Sequence, residues 1–430
     1  MRLNSEAPIN SKDNMHRVVI TGLGVISPVG IGQKAFWQGL IAGKNGIGPI
    51  THFDSTEFRS HLAAEVADFN PDMWIDKKNS RKMDRFTQFA VAAASMAMED
   101  SGLDTYAFDK ERTGVIIGSG IGGSQTIGDG AKDLWEIGPK TLTPLFVPRL
   151  LINMAASMVS IRYGLQGPIS ALSVACSTGA NAIGDAFRIV QYGDADIMLA
   201  GSSEAAITPL AYGGFCATRS MSVNEDPNTA SRPFDKERDG FVMGEGAGIV
   251  ILESLEHAQN RNAPVYAELI GYGNSAEAYH YTAPDPSGEG MMRCMKRSLE
   301  DAGLKSDKVD YINAHGTSTA LNDKTESLAI TRLFGEHAHK VKTTSIKSMI
   351  GHLLAAAGSV EFISTILSIK NSIIPPTINF QTRDPECLLN YVFNEAVEAD
   401  VDVALSNSFG FGGGNVSLIA QKFGAEDGRS

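Results

Sequence analysis

The chain has 430 residues, 43% of them hydrophobic and 20% charged, an ordinary balance for a globular protein with a sizeable core. With 37 basic and 49 acidic residues the formal net charge is −12, which disfavours nucleic acid as a partner. No apolar run reaches the ~18–20 residues of a membrane span. The four cysteines (Cys176, Cys216, Cys294, Cys387) form no CxxC pair, which argues against a zinc site or a disulfide framework and for a reducing, cytoplasmic setting.

Residues 1–15 are polar, lack the apolar core of a signal peptide and read as a disordered extension. From Arg17 onward one α/β plan is written twice, over 16–263 and 264–423, with a short tail at 424–430. The first copy opens on Arg17-Val-Val-Ile-Thr-Gly-Leu-Gly-Val-Ile, a buried strand with a glycine turn. A helix over Ala90–Ser101 and a strand over Thr113–Gly118 follow. A long insertion then carries Thr141-Leu-Thr-Pro-Leu-Phe-Val-Pro-Arg and an apolar helix over Leu150–Ile161, and it is expected to cover an active site or build a subunit interface. A helix over Ala180–Gln191 and the strand within Gly244–Glu253 close this half. The second copy repeats the order: a strand in Val265–Gly273, a helix over Glu289–Ala302, a strand at Val309–Ala314, a small-residue helix after His352 and a glycine-rich turn into a strand over Gly412–Gln421. Such alternation predicts mixed sheets covered by helices on both faces. Gly118-Ser-Gly-Ile-Gly-Gly superficially matches a dinucleotide-binding run, but the acidic residue wanted ~20 positions later is not convincingly placed.

Chemistry concentrates in three segments. Cys176, in Ser173-Val-Ala-Cys-Ser-Thr-Gly, sits where an apolar segment meets a helix start, and the helix dipole and free N–H groups there favour the thiolate. Taken alone it fits a structural buried thiol as well as a nucleophile. His315, in Asn313-Ala-His-Gly-Thr-Ser-Thr, follows a strand and belongs in a polar loop at a site mouth. His352, in Lys347-Ser-Met-Ile-Gly-His, stands before a nearly all-apolar helix, where burial and the helix N-terminus favour the neutral imidazole. Neutral imidazoles donate N–H to a developing oxyanion, as carbanion chemistry beside a carbonyl requires. Neither histidine has an HxH or HxxxH partner for a metal. Glu361 is the only acid in the apolar run after His352; a buried carboxylate needs a cation, and Lys347 is the candidate. Ser406-Asn-Ser-Phe409-Gly-Phe411-Gly-Gly-Gly-Asn415 is a glycine loop able to present N–H groups to an oxyanion and to move an aromatic ring as a gate. Lys77, Lys78, Arg81, Lys82 and Arg85 form a basic cluster that is either a solvated helix face or a docking site for an acidic partner.

Together, Cys176 in ACSTG, His315 in NAHGTST, Lys347 and His352 in KSMIGH, and the closing NSFGFGG loop resemble the β-ketoacyl-[acyl-carrier-protein] synthases, with the elongating type the nearest match. The resemblance spans about Arg17 to Lys422 and implies the thiolase-like fold, five layers α-β-α-β-α, and a homodimer. It implies that Cys176 accepts an acyl chain, that His315 and His352 bind malonyl thioester and assist its decarboxylation, and that Lys347 and Glu361 support them. Backbone N–H groups of Cys176 and Phe409 would form the oxyanion hole, with Phe409 as gate, and Thr317 and Thr319 would touch phosphopantetheine. The cluster Lys77–Arg85 would dock the acyl carrier protein. No cofactor is implied beyond the carrier's phosphopantetheine, and a structural cation at Asn313, Glu361, Ser406 and Asn407 is carried over from some relatives. The family loop usually reads GFGGTN, whereas this chain has Gly414 where Thr is expected. The absence of a cysteine from that loop argues against a thiolase, and His352 against the starter-type Cys–His–Asn set. A stand-alone polyketide ketosynthase shares Cys–His–His, and a non-catalytic chain-length subunit would lack Cys176.

Overall fold

Strands apolar on both faces have to be covered on both sides, and Val18–Ser27 (β1) is buried at all ten positions. In this computed structural model, residues 15–425 are described, so all but the last residue of the extension read over 1–15 and the last five residues of the tail lie outside the described residues. The first half continues through α1 (Arg85–Asp100), β2 (Thr113–Gly118), α2 (Met154–Tyr163), β3 (Ile169–Ser170), α3 (Thr178–Gln191), β4 (Ile197–Glu204) and β5 (Gly246–Ser254). The second runs β6 (Ala267–Ala276), α4 (Glu289–Ala302), β7 (Tyr311–Asn313), α5 (Ala320–Phe334), β8 (Lys342–Thr344), α6 (Ala357–Asn371), β9 (Val403–Phe409) and β10 (Gly414–Gln421).

The duplication is visible in topology and register. The halves have strand orders β1-β5-β4-β2-β3 and β6-β10-β9-β7-β8, and in each the first two contacts are antiparallel and the last two parallel. Even the irregularities match: β1 shifts register between Ile20 and Gly22, and β6 between Leu269 and Gly271. Two residues further on, glycine lets a helix lie against the strand. A Cβ on Gly24 would stand 1.9 Å from the Ala93 carbonyl oxygen of α1, and one on Gly273 would stand 2.1 Å from the Cys294 carbonyl oxygen of α4.

Antiparallel pairing of Val18–Ile20 with Ala267–Leu269 joins the halves, so the expected two sheets are continuous in one twelve-stranded sheet. Helices α3 and α6 pack between the halves and touch strands of both, while α1 with α2 and α4 with α5 cover the outer faces. This is the five-layer arrangement. Of the inner layer, α6 is buried at every position from Ala357 through Ile369, while α3 leaves Asp185, Arg188 and Gln191 partly exposed.

Three element boundaries differ from the sequence reading. α1 begins at Arg85 rather than Ala90, because Phe86 and Phe89 extend its buried stripe. The helix placed over Leu150–Ile161 is broken: a short helix ends at Leu150, Leu151 is extended, and α2 starts at Met154. After His352 the chain first makes a 3-10 turn at Leu354–Ala356, and α6 starts only at Ala357. Gly24→Ala is expected to destabilise the fold by about 2 kcal/mol or more, since the clash is with backbone and cannot be relieved by a rotamer change; urea denaturation checks this.

Candidate active site

Cys176 lies in the turn between β3 and α3, and its neighbour Ala175 has φ +46°, a left-handed conformation that costs a non-glycine residue on the order of 1–3 kcal/mol. Hydroxyls hold that turn. Thr178 Oγ1 accepts from Val174 N (2.8 Å) and donates to the Ala175 carbonyl (2.7 Å), while Ser177 Oγ shares its one proton between the carbonyls of Val174 (2.8 Å) and Gly414 (2.9 Å). His352 occupies the corresponding connection of the other half, between β8 and α6. Its backbone is pinned to the first half, with His352 N on the Val242 carbonyl (2.7 Å) and Gly244 N on the His352 carbonyl (2.9 Å).

His315 follows β7. Its N–H and that of Gly316 donate to the two carboxylate oxygens of Glu326 at 2.9 and 2.8 Å. Lys347 Nζ lies 2.5 Å from Glu361 Oε1, 2.5 Å from the His315 carbonyl and 3.3 Å from His315 Nδ1. Lys347 and Glu361 are each 1% exposed, so the pairing expected from the sequence is present and fully buried. An ammonium only donates, so Nδ1 of His315 accepts and its proton resides on Nε2. Burial, reinforced by the charge of Lys347, holds both histidines well below the ordinary imidazole value, and both rings are neutral at pH 7. Their centroids are 5.4 Å apart at 84°, and Phe409 stands 5.8 Å from His315.

Cys176, His315, His352, Thr317, Thr319 and Phe409 line one cavity of about 350 Å³. Glu361 and Lys347 lie behind its wall. Glu361, Glu326 and Glu204 are all pushed up to about 7 by burial.

Several expectations need correction. The Cys176 thiol is not a resting thiolate: burial pushes it up to about 11, against the opposing pull of Lys347 and of the Phe411 N–H. That N–H comes from the glycine loop that the sequence reading had as able to present backbone N–H groups. Of the basic cluster, Lys77, Lys78, Arg81 and Lys82 are exposed, but Arg85 is committed. It forms a 2.7 Å ion pair with the buried Glu245 and sits 4.6 Å over the Phe89 ring, which leaves its side chain half-buried. Among the four residues named for a cation, Asn313 Oδ1, Glu361 Oε2 and Ser406 Oγ are buried without a hydrogen-bond partner, and Asn313 and Ser406 are register neighbours on β7 and β9. Asn407 does not join them. Strand alternation turns its side chain to the other face, where it bonds Glu326 and Ser417. The glycine run after Gly118 offers no phosphate cradle, since Gly120 N, Ile121 N and Ser119 Oγ all donate to Glu204. Sequence reasoning missed Glu204 and Glu326. For Glu326 a signal existed: Asp323 and Glu326, three apart, share one face of the helix that leaves the His315 loop.

The comparisons with known proteins fit this geometry. The sequence model of "Beta-ketoacyl synthase, N-terminal domain" matches residues 15–258, and that of "Beta-ketoacyl synthase, C-terminal domain" matches 266–381. The chain belongs to the β-ketoacyl synthase family. It is 51% identical to the 3-oxoacyl-[acyl-carrier-protein] synthase 2 of Coxiella burnetii, covering 94% of this chain and 98% of that one. It is 51% identical to the enzyme of the same name from Staphylococcus aureus, covering 95% and 99%. Among solved structures, a β-ketoacyl synthase from Burkholderia phymatum superposes with a TM-score of 0.89 at 36% identity, covering 95% of this chain and 100% of that one. The ishigamide ketosynthase/chain length factor gives 0.90 at 38%, covering 95% and 100%.

Glu204→Gln removes a buried carboxylate whose folded-state pKa lies above its unfolded one. The parent therefore loses stability as pH rises from about 4.5 to about 7 while the variant does not. The stability difference between them is expected to move in the variant's favour across that window, as read by denaturation at several pH values.

Proposed function

We propose that this β-ketoacyl synthase is an acyltransferase that joins malonyl units to a growing acyl chain, both carried on acyl carrier protein, to give 3-oxoacyl products two carbons longer. The observation that carries this reading is that a thiol from the first half and two neutral imidazoles from the second share one cavity. The chemistry divides cleanly between them. Cys176, losing its proton as substrate binds, attacks the acyl thioester; the carrier thiol departs with a proton, and the acyl group rests on Sγ. Malonyl thioester then binds with its carbonyl on the N–H groups of His315 and His352. Carbon dioxide leaves, and the enolate that remains is held by these two donors. The enolate carbon attacks the acyl carbonyl, the bond to Sγ breaks, and Cys176 is regenerated. Neutral rings suit this step because they donate without protonating the carbanion they must preserve.

Lys347 fixes the His315 tautomer and is balanced by Glu361. The N–H groups of Cys176 and Phe409 serve the oxyanion of acyl transfer, and Thr317 and Thr319 steady the phosphopantetheine arm. No other cofactor enters. The orphaned oxygens of Asn313, Glu361 and Ser406 fit a bound cation, which would supply fixed positive charge behind the histidines. Lys77, Lys78, Arg81 and Lys82 form the docking face for an acidic carrier; one similar structure, 37% identical, is described as a type II ketosynthase in complex with its acyl-carrier protein. The insertion exposes Trp135, Ile137 and Ile161 at 85%, 74% and 69%, and β3 lies at the edge of the sheet, which supports a homodimer across this face. Among the described residues no helix is long and apolar enough to cross a membrane, and four free cysteines support the cytoplasm. A relationship above 50% to enzymes named for acyl-carrier synthesis favours fatty acid elongation over a polyketide or chain-length role.

Incubation with acyl-carrier substrate followed by intact-mass measurement is expected to show one acyl adduct, absent in Cys176→Ala. His315→Ala and His352→Ala should keep the adduct and lose malonyl decarboxylation by roughly 10²–10³; condensation at the parental rate in both would refute the assignment. Lys78→Glu with Arg81→Glu should raise KM for carrier-bound substrates with kcat little changed, and the effect should shrink in high salt.

A further inference from the structure

The glycine-rich loop that follows β9 meets the turn carrying Cys176 at three places, two of them at Gly414. Gly414 has φ −78°, a conformation open to any residue, so its smallness is not a backbone requirement. Space is what forbids a side chain there: a Cβ on Gly414 would stand 2.6 Å from Val174 Cγ1, and valine's branched side chain is stiff at χ1 and cannot swing away freely. Directly alongside, the Gly414 carbonyl accepts from Ser177 Oγ at 2.9 Å and from Gly410 N at 2.8 Å. The third contact is the Phe411 N–H directed at the Cys176 sulfur. Held this way, the loop keeps Phe409, 5% exposed, packed against the His315 ring.

We propose that Ser177 and Val174 are positioning residues for the gate. The serine hydroxyl ties the loop 410–414 to the nucleophile turn and the valine fills the space vacated at 414, so that Phe409 stays over His315 until Cys176 has been loaded. The inference rests on the condensing function proposed above. Gly414, where the resemblance leads one to expect threonine, is then one half of a complementary pair whose other half is Val174. Its consequence is kinetic. A malonyl thioester that reaches the histidines before Cys176 is acylated loses carbon dioxide to an enolate with no electrophile to attack, and the enolate takes a proton from water to become acetyl thioester. The latch suppresses that side reaction.

The experiment uses the full-length enzyme with malonyl-carrier, with and without acyl-carrier. It measures carbon dioxide release, 3-oxoacyl product and acylation of Cys176 by intact mass. Ser177→Ala is expected to raise carbon dioxide released per condensation product at least threefold; a ratio equal to the parent's overturns the latch. Gly414→Ala is expected to lower condensation at least tenfold, and Val174→Ala in the same chain to restore it to within about threefold of the parent. Full activity in the single variant, or no recovery in the double, overturns the packing pair. Circular dichroism and thermal melting of each variant serve as the folding control. Absence of any acyl adduct or carbon dioxide from the parent would instead refute the condensing function itself.

Discussion

A single ammonium group organises the reaction centre. Lys347 is buried to 1%, and its three donors are taken by the carboxylate of Glu361, the carbonyl of His315 and the Nδ1 of the same imidazole. One cation therefore does three things: it balances a buried acid, fixes which nitrogen of His315 carries the proton, and discourages protonation of both histidines. Removing one partner from such a buried group leaves the other uncompensated, which typically costs about 3–5 kcal/mol. Helix α6 supplies Glu361 and its approach segment supplies Lys347 and His352, which explains why this inner helix is enclosed on all sides and yet carries an acid.

The same logic places the other buried acids. Glu204 and Glu326 receive backbone donors from the turns that follow β2 and β7, the central parallel strands of the two halves. Each carboxylate serves amides that the end of a strand leaves without a partner. In the first half that turn is Ser119–Ile121; in the second it bears His315. Duplication thus provided two similar scaffolds, and chemistry was placed on different points of each.

Much of this was legible in the sequence. The repeated order of strand, helix and glycine turn marked the two halves, and the strand Thr113–Gly118 and the helix Glu289–Ala302 were located to the residue because their periodicity is strong and glycine punctuates them. The Cys–His–His set and the Lys347–Glu361 pair were readable because each residue breaks an otherwise apolar or glycine-rich context. What escaped depended on distance in three dimensions. The 46° φ at Ala175, the Glu245 partner that withdraws Arg85 from the surface, and the burial that holds the Cys176 thiol up leave no local trace. Asn407 shows the opposite case: β alternation alone would have separated it from Ser406, had the strand been fixed first.

The backbone of His352 is fastened to Val242 and Gly244, residues of the opposite half, by two hydrogen bonds. An imidazole contributed by one repeat is thus aimed by main chain from the other. Neither repeat, expressed as a fragment, would hold His352 by these two bonds, so the halves are not separable by simple excision. Any evolutionary path that swaps one repeat for a foreign counterpart must carry this two-point splice along with it.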